Sequence, residues 1–214
     1  MGLTGPMPLT TRPRPHDLIR LTSGAVSLAD APAWVRASLA CAPWAVVRHD
    51  RPLPGQIPVG IRGPRRELRW ATCVPQADIV GIRTPESLRH VDDWVAIPDV
   101  AAMRALRALT PALNGGRTAW GPTGSAGFSL ATGHIALGEA SDLDLLLRCP
   151  ARPARGWLDG VARLFAGQEA RVDCQVETPA GVAHLDDLRH DGPALVRTCA
   201  GPRLCVDPWA ETGT

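Results

Sequence analysis

The chain has 214 residues, 45% hydrophobic and 21% charged, with 23 basic side chains against 21 acidic ones and a formal net charge of +2. This is the composition of a globular protein able to bury a core, and it argues against overall disorder. All 23 basic residues are arginine, which excludes Schiff-base lysine chemistry and a Walker phosphate loop, since both need a lysine amine.

In chain order, the first fifteen residues, MGLTGPMPLTTRPRP, hold no apolar stretch of the ~7 to 15 residues that a secretory signal needs. No later run approaches the ~18 of a membrane span. A cytoplasmic protein with no membrane partner is expected. PAWVRASLA predicts a short helix, and WAVVRHD, IPVGIR and ELRWATCV predict strands from their β-branched and aromatic alternation. Gly63-Pro64-Arg65 predicts a tight hairpin turn between the last two. Thr84 with Pro85 predicts the start of a helix running to about Trp94. A second helix is predicted from Asp99, with Val100, Met103, Leu106 and Leu109 at three-residue spacing, ending near Asn114-Gly115-Gly116. Then come a strand near TAW, a glycine-rich turn at GPTGSAG, a central strand at DLDLLLR, a helix over ARGWLDGVARLFAG and a strand at ARVDCQVET. The fold expected is α+β: a small N-terminal module of antiparallel strands followed by a mixed sheet with flanking helices, without the regular repeat of a doubly wound sheet.

Charge divides at the Thr84-Pro85 signal. Residues 1–84 carry 11 Arg against 5 acids, net +6, and residues 85–214 carry 12 Arg against 16 acids, net −4. Two domains with these bounds are predicted, one basic and one acidic. The cysteines at 41, 73, 149, 174, 199 and 205 form no Cys-x-x-Cys pair or zinc-ligand spacing and are expected to be reduced, largely buried small hydrophobes. His49, His90, His134, His184 and His190 show no metal-binding pairing.

The stretch GPTGSAGFSLATGHIALGEASDLDLLLR carries the chemistry. Asp142 and Asp144, two apart in a predicted strand, project from one face, while Leu143 and Leu145 point into the core. Adjacent carboxylates repel unless a cation neutralises them, and Mg²⁺ with its oxygen ligands is the natural partner. Gly124 and Ser125, with Gly121, Pro122 and Gly127 around them, offer backbone N–H groups and a hydroxyl to phosphate oxygens. Asp173 lies between apolar neighbours in a further strand, where an acid needs a reason. It serves either as a third ligand or as a core acid paired with an arginine.

Gly-Ser, then Asp-x-Asp at a strand, then a later strand Asp resembles the signature of the DNA polymerase β-like nucleotidyltransferases. The resemblance implies that Asp142 and Asp144 bridge two Mg²⁺, that Asp173 completes one site and helps deprotonate the attacking hydroxyl, and that Gly124 and Ser125 take the leaving diphosphate. The 17 residues from Ser125 to Asp142 exceed the commonest spacing, and FSLATGHIALGEA is expected to add a hairpin. From about residue 13 to 209, the segments RPHDLIRL, APAWV, PWAVVRHD, IPVGIRGPRRELRWA, RTPESL, WGPTGSAGFSLATG, SDLDLLLRCP, VDCQVETPAGVAHL, LVRT and GPRLCVDPW are similar to the phosphoribosyl-dephospho-CoA transferases of malonate decarboxylase. That resemblance implies transfer of 2′-(5″-triphosphoribosyl)-3′-dephospho-CoA to a serine of the apo acyl-carrier subunit, with release of diphosphate.

A polyanionic donor calls for cations, and the arginine fork suits phosphate. Arg62, Arg65, Arg66 and Arg69 in the hairpin, with Arg197 and Arg203, are the candidates. The hairpin group alternatively grips an acidic carrier, or serves solubility in a lysine-free chain. His16 beside Asp17 fits the family pattern, and a backbone-bonded structural histidine is the simpler expectation. Trp120 and Trp209 are expected to pack near the site. Two other readings are a nucleotidyltransferase that adds a simple nucleotide to a protein or small molecule, and a silent adaptor that binds a carrier. A nucleic-acid partner is not expected, with two Phe, no Tyr and no lysine tract.

Overall fold

The computed structural model describes residues 12–90, 97–154 and 156–210. They fall into two compact units, one ending at Thr84 and one beginning at Pro85, and each combines helix with sheet. The fold class is α+β, as the alternation and helical periodicities predict.

The first unit holds β1 (Leu18–Leu21), α1 (Ala33–Cys41), β2 (Trp44–Val47), β3 (Gln56–Arg62), β4 (Arg69–Pro75) and β5 (Ile79–Arg83). Its strands form one antiparallel sheet in the order β4-β3-β2-β1-β5. Alternation drives it: Ile57, Val59 and Ile61 of β3 are all buried and meet Ile19, Val47, Val74, Ile79 and the α1 residue Val35 in one core. Each such side chain contributes about 1.5–3 kcal/mol on burial. The expected tight turn at Gly63 lies within a longer connection, residues 63–68. Gly63 N–H donates to Leu68 O (2.9 Å) and Leu68 N–H to Arg65 O (3.0 Å). Strands β1 and β5 were not expected. They are short and pair across some sixty residues of chain, so no local hairpin signal announces them.

The helix expected from Thr84 to about Trp94 is instead a single 3₁₀ turn, Pro85–Leu88. Arg89 Nε donates to Glu86 O (2.9 Å), occupying the carbonyl that the next helical N–H would need. Trp94 lies outside the described residues.

The second unit holds α2 (Ala101–Asn114), β6 (Ala119–Pro122), α3 (Gly124–Thr132), β7 (Leu143–Arg148), α4 (Trp157–Ala166), β8 (Val172–Thr178), β9 (Gly181–His184), β10 (Ala194–Thr198) and β11 (Gly201–Cys205). The sheet order is β11-β10-β9-β8-β7-β6. Only β7 and β8 are parallel, and α4 supplies the crossover that a parallel pair requires. One sheet face is the core: Leu143, Leu145 and Leu147 of β7 and Cys174 and Val176 of β8 pack with Met103, Leu106 and Leu109 of α2 and with Val161 and Phe165 of α4. Alternation sends Asp144, Arg148, Asp173, Gln175 and Glu177 to the opposite face.

Two expectations in this unit are corrected. The supposed turn at GPTGSAG is the start of α3, and FSLATGHIALGEA adds no hairpin. Phe128–Thr132 continue the helix, whose Ala126, Gly127, Phe128 and Ser129 are all buried. Gly133 then ends it in the left-handed conformation (φ 71°), with its N–H on Ser129 O, a conformation glycine adopts without cost. Ser129 Oγ also accepts from Ala136 N–H (2.9 Å), tying the following loop to the helix. All six cysteines are free, but only Cys149 and Cys174 are buried, while Cys41 and Cys199 are exposed. The former follow the core parity of β7 and β8, and the latter lie at the end of α1 and in the β10–β11 turn.

Candidate active site

Strands β7 and β8 set the site by register. Asp144 lies opposite Asp173, both half-buried, and neighbouring strands run ~4.8 Å apart. Two carboxylates are therefore side by side on one face, an arrangement that disfavours itself electrostatically. Asp142 immediately precedes β7, where Leu143 N–H donates to Arg171 O (2.9 Å) and anchors this end of the strand to β8.

Helix α3 meets the same spot. Gly124, its first residue, has φ +56°, and a Cβ there would fall 1.8 Å from Oδ2 of Asp144. Only glycine lets the carboxylate lie against this helix end. Thr123 N–H fixes the approach by donating to the Asp144 carbonyl (2.9 Å), and Ser125 follows in the first turn. A helix N-terminus carries roughly half a positive charge and attracts carboxylate and phosphate alike. Asp144 and an incoming phosphate would compete for this end, and a cation between them would remove the conflict.

His184, which sequence reasoning set aside, joins the acids. It ends β9, and its Nε2 lies 2.8 Å from Oδ1 of Asp173. A signal was present: Thr178-Pro179-Ala180-Gly181 is a turn with two central residues. Counting back along both strands from Thr178 opposite Gly181 puts His184 opposite Gln175, beside Asp173. Arg148 was also overlooked. Four residues beyond Asp144 it is 6% exposed, and it ion-pairs with Glu86 of the 3₁₀ turn and with Glu177, its register partner on β8. A buried guanidinium needs such partners.

The other candidates are distributed as follows. Arg62 and Arg69 face each other across the β3–β4 hairpin, Arg65 pairs with Glu67 at 3.2 Å, and Arg69 donates to Leu68 O at 3.0 Å. With Arg66 they form a cationic hairpin in the first unit. In the second unit, Arg197 is opposite Val182, itself opposite Glu177, so it shares the face of the acids. Arg203 is opposite buried Val196 and has the other parity. His16 adopts φ 72°, donates its N–H to Val47 O (2.9 Å) and packs edge-on against His49 in the first unit. Asp17 accepts from Arg14 N–H (2.8 Å). Trp120 is buried on the core side, opposite Leu147, with Nε1 on Asn114 Oδ1 (3.1 Å). Trp209 donates to Cys149 O (3.0 Å) under the Arg152 guanidinium. Both tryptophans pack on the core, away from the acids' face.

Among the described residues, no three His, Cys, Asp or Glu side chains gather into a metal cage. An all-protein site is not built. Mg²⁺, however, is commonly held by one or two carboxylates together with substrate phosphates, and Asp144 in the niche left by Gly124 has the donor chemistry for such a shared site. No described helix is long and apolar enough to cross a membrane.

Comparison with known proteins covers both units. The model described as the phosphoribosyl-dephospho-CoA transferase MdcG C-terminal domain matches residues 87–208, and the corresponding N-terminal domain model matches residues 14–85. A phosphoribosyl-dephospho-CoA transferase from Klebsiella pneumoniae (strain 342) is 40% identical over 205 residues, 94% of this chain and 98% of the relative. Those of Pseudomonas aeruginosa (92% and 94% covered) and Azotobacter vinelandii (93% and 95% covered) are also 40% identical. No solved structure was found to match.

Proposed function

The chain belongs to the phosphoribosyl-dephospho-CoA transferase family, and from that membership we propose that it attaches the triphosphoribosyl-dephospho-CoA group to a serine of the apo acyl-carrier subunit of malonate decarboxylase, releasing diphosphate. That the chain is a transferase enzyme follows from its relatives. The acceptor, the leaving group and the use of Mg²⁺ belong to the proposal. A single observation carries it: Asp144 and Asp173 stand side by side at the N-terminus of α3, where Gly124 clears room for the first of them.

In this reading, the serine Oγ of the carrier attacks the α-phosphorus of the donor's triphosphate. The new Oγ–P bond forms as the bond between that phosphorus and the oxygen of the β-phosphate breaks, and diphosphate leaves. The serine proton passes to a base on the acids' face, for which Asp173 is the candidate. Backbone N–H groups at Gly124 and Ser125 bind the departing diphosphate, helped by the helix dipole. Asp144 and Asp173 would hold Mg²⁺ together with the donor's phosphates, with Asp142 at the nearby strand end, and the ion would supply charge neutralisation for the triphosphate. Phosphoryl-type transfer needs little more than positioning and charge stabilisation. Arginines complete donor recognition: Arg197 lies on the acids' face, and the hairpin residues Arg62, Arg65, Arg66 and Arg69, with Arg203, provide further cations for donor or carrier.

The test is incubation of the protein with folded apo carrier, the triphosphoribosyl donor and Mg²⁺, reading carrier mass and diphosphate. The expected result is one adduct per carrier, abolished when the acceptor serine is replaced. An unmodified carrier with diphosphate released from ordinary nucleoside triphosphates would turn the assignment toward a simple nucleotidyltransferase. Unmodified carrier that binds without any diphosphate release would turn it toward an adaptor.

A further inference from the structure

We propose that His184 is a positioning residue for the transfer, holding Asp173 so that one defined carboxylate oxygen is offered to the reaction. This rests on the reading of Asp173 as a functional acid. Three observations point the same way. The ring Nε2 is 2.8 Å from Oδ1 of Asp173, a full-strength hydrogen bond, and that oxygen is the acceptor. Histidine and aspartate are each only about one third exposed, at 37% and 32%, so the contact is set by the sheet and not by a loose surface encounter. Finally, the backbone fixes both ends: Asp173 lies inside β8, and His184 pairs with Gln175, two residues along the same strand.

The physical consequence concerns a carboxylate that would otherwise rotate. Asp173 sits beside Asp144, and like charge alone would swing the two groups apart. A donor on Oδ1 removes that freedom and leaves Oδ2 for a metal ion or a hydroxyl proton. Orienting hydrogen bonds of this type, made by a residue that does not itself touch the reacting atoms, typically change metal affinity or activity by 10–100-fold. The histidine therefore acts through Asp173, and its effect vanishes when Asp173 is absent.

A double-mutant cycle tests this on the full-length protein. His184→Ala, His184→Gln, Asp173→Ala and the double variant His184→Ala/Asp173→Ala are compared by thermal melting, by kcat and KM for the donor, and by titration with Mn²⁺ in the presence of diphosphate, followed by electron paramagnetic resonance. His184→Ala is expected to weaken Mn²⁺ binding and lower kcat by roughly 10-fold or more, with donor KM within about 2-fold. His184→Gln, whose amide N–H also donates, is expected to recover most of the loss. In the Asp173→Ala background, His184→Ala is expected to add nothing. The proposal is overturned if His184→Ala matches the parent in Mn²⁺ binding and kcat, if glutamine is as impaired as alanine, or if the two losses simply multiply. Failure of the functional reading looks different: the parent protein then leaves the carrier unmodified, while the Mn²⁺ cycle still reports on the His184–Asp173 link.

Discussion

The parallel pair β7–β8 carries two charged rungs on one face, four residues apart, and they are opposites. At one rung Asp144 lies beside Asp173, like beside like; at the other Arg148 lies beside Glu177, with Glu86 closing from the 3₁₀ turn. The second rung is an internally matched cluster, in which a nearly inaccessible guanidinium is held by two carboxylates. The first places acid beside acid at a helix N-terminus, with a glycine where any side chain would collide. In the proposed reading, the same strands serve stability at one end and chemistry at the other, and a bound cation would offset the repulsion between the two acids.

The largest effect should come from the like-charge rung. Asp144→Asn is expected to lower kcat for carrier modification by at least ~100-fold, the loss of about 3 kcal/mol of transition-state stabilisation. Thermal stability should change by no more than about 1 kcal/mol, since relief of the repulsion offsets the lost attraction of the carboxylate to the α3 N-terminus. A melting point that falls steeply with the activity would erase the contrast between the rungs. The opposite rung should behave in reverse: Arg148→Met leaves two carboxylates facing each other in a half-buried site and is expected to cost about 3 kcal/mol in urea unfolding. Any loss of activity should follow the unfolded fraction.

The core face of the same strands offers a control. Burial pushes the Cys149 thiol up from its usual 9.0 to about 11 and raises that of Cys174 well above it, with burial again the main cause. A thiol kept protonated in the fold but ionised in the unfolded chain contributes stability below the unfolded pKa, and this is lost as pH rises. For Cys149 the loss should run between about pH 9 and 11, reaching roughly 2 kcal/mol. Cys149→Ala should flatten that part of an alkaline stability profile. The smallest effect expected is that of Gly124→Ala. Its Cβ displaces the Asp144 carboxylate and requires a left-handed residue, costing ~1 kcal/mol of stability and about a tenfold loss of kcat. Circular dichroism melts and the carrier assay would separate the two parts. An alanine variant with unaltered kcat would mean that the Gly124 niche does not position Asp144.

Much of this was legible in the chain. Strand alternation announced β2, β3, β4, β7 and β8, and helical periodicity announced α1, α2 and α4, because these segments bury one face and must repeat at the period of their own geometry. The acids Asp142, Asp144 and Asp173 stood out as charges in or beside apolar strands. Helix α3 was concealed because the glycines and proline around it read as a turn, although Gly124 lies against the Asp144 carboxylate, and Gly121 and Gly127 lie against the backbone of Pro85 and Pro122. Strands β1, β5, β10 and β11 are only four or five residues long, and β1 also takes a partner distant in sequence, β5.

The sequence by itself determined the α+β class, the basic and acidic halves, the acid constellation and the family resemblance that the relatives bear out, since composition, local period and motif are properties of the chain alone. Only the tertiary structure decided that Asp144 faces Asp173, that His184 holds Asp173 and that Arg148 is clamped by Glu86 and Glu177. Those facts depend largely on strand register, and register is fixed by the packing of the whole sheet, so that a one-residue slip of β7 would turn Asp144 and Arg148 to the other face.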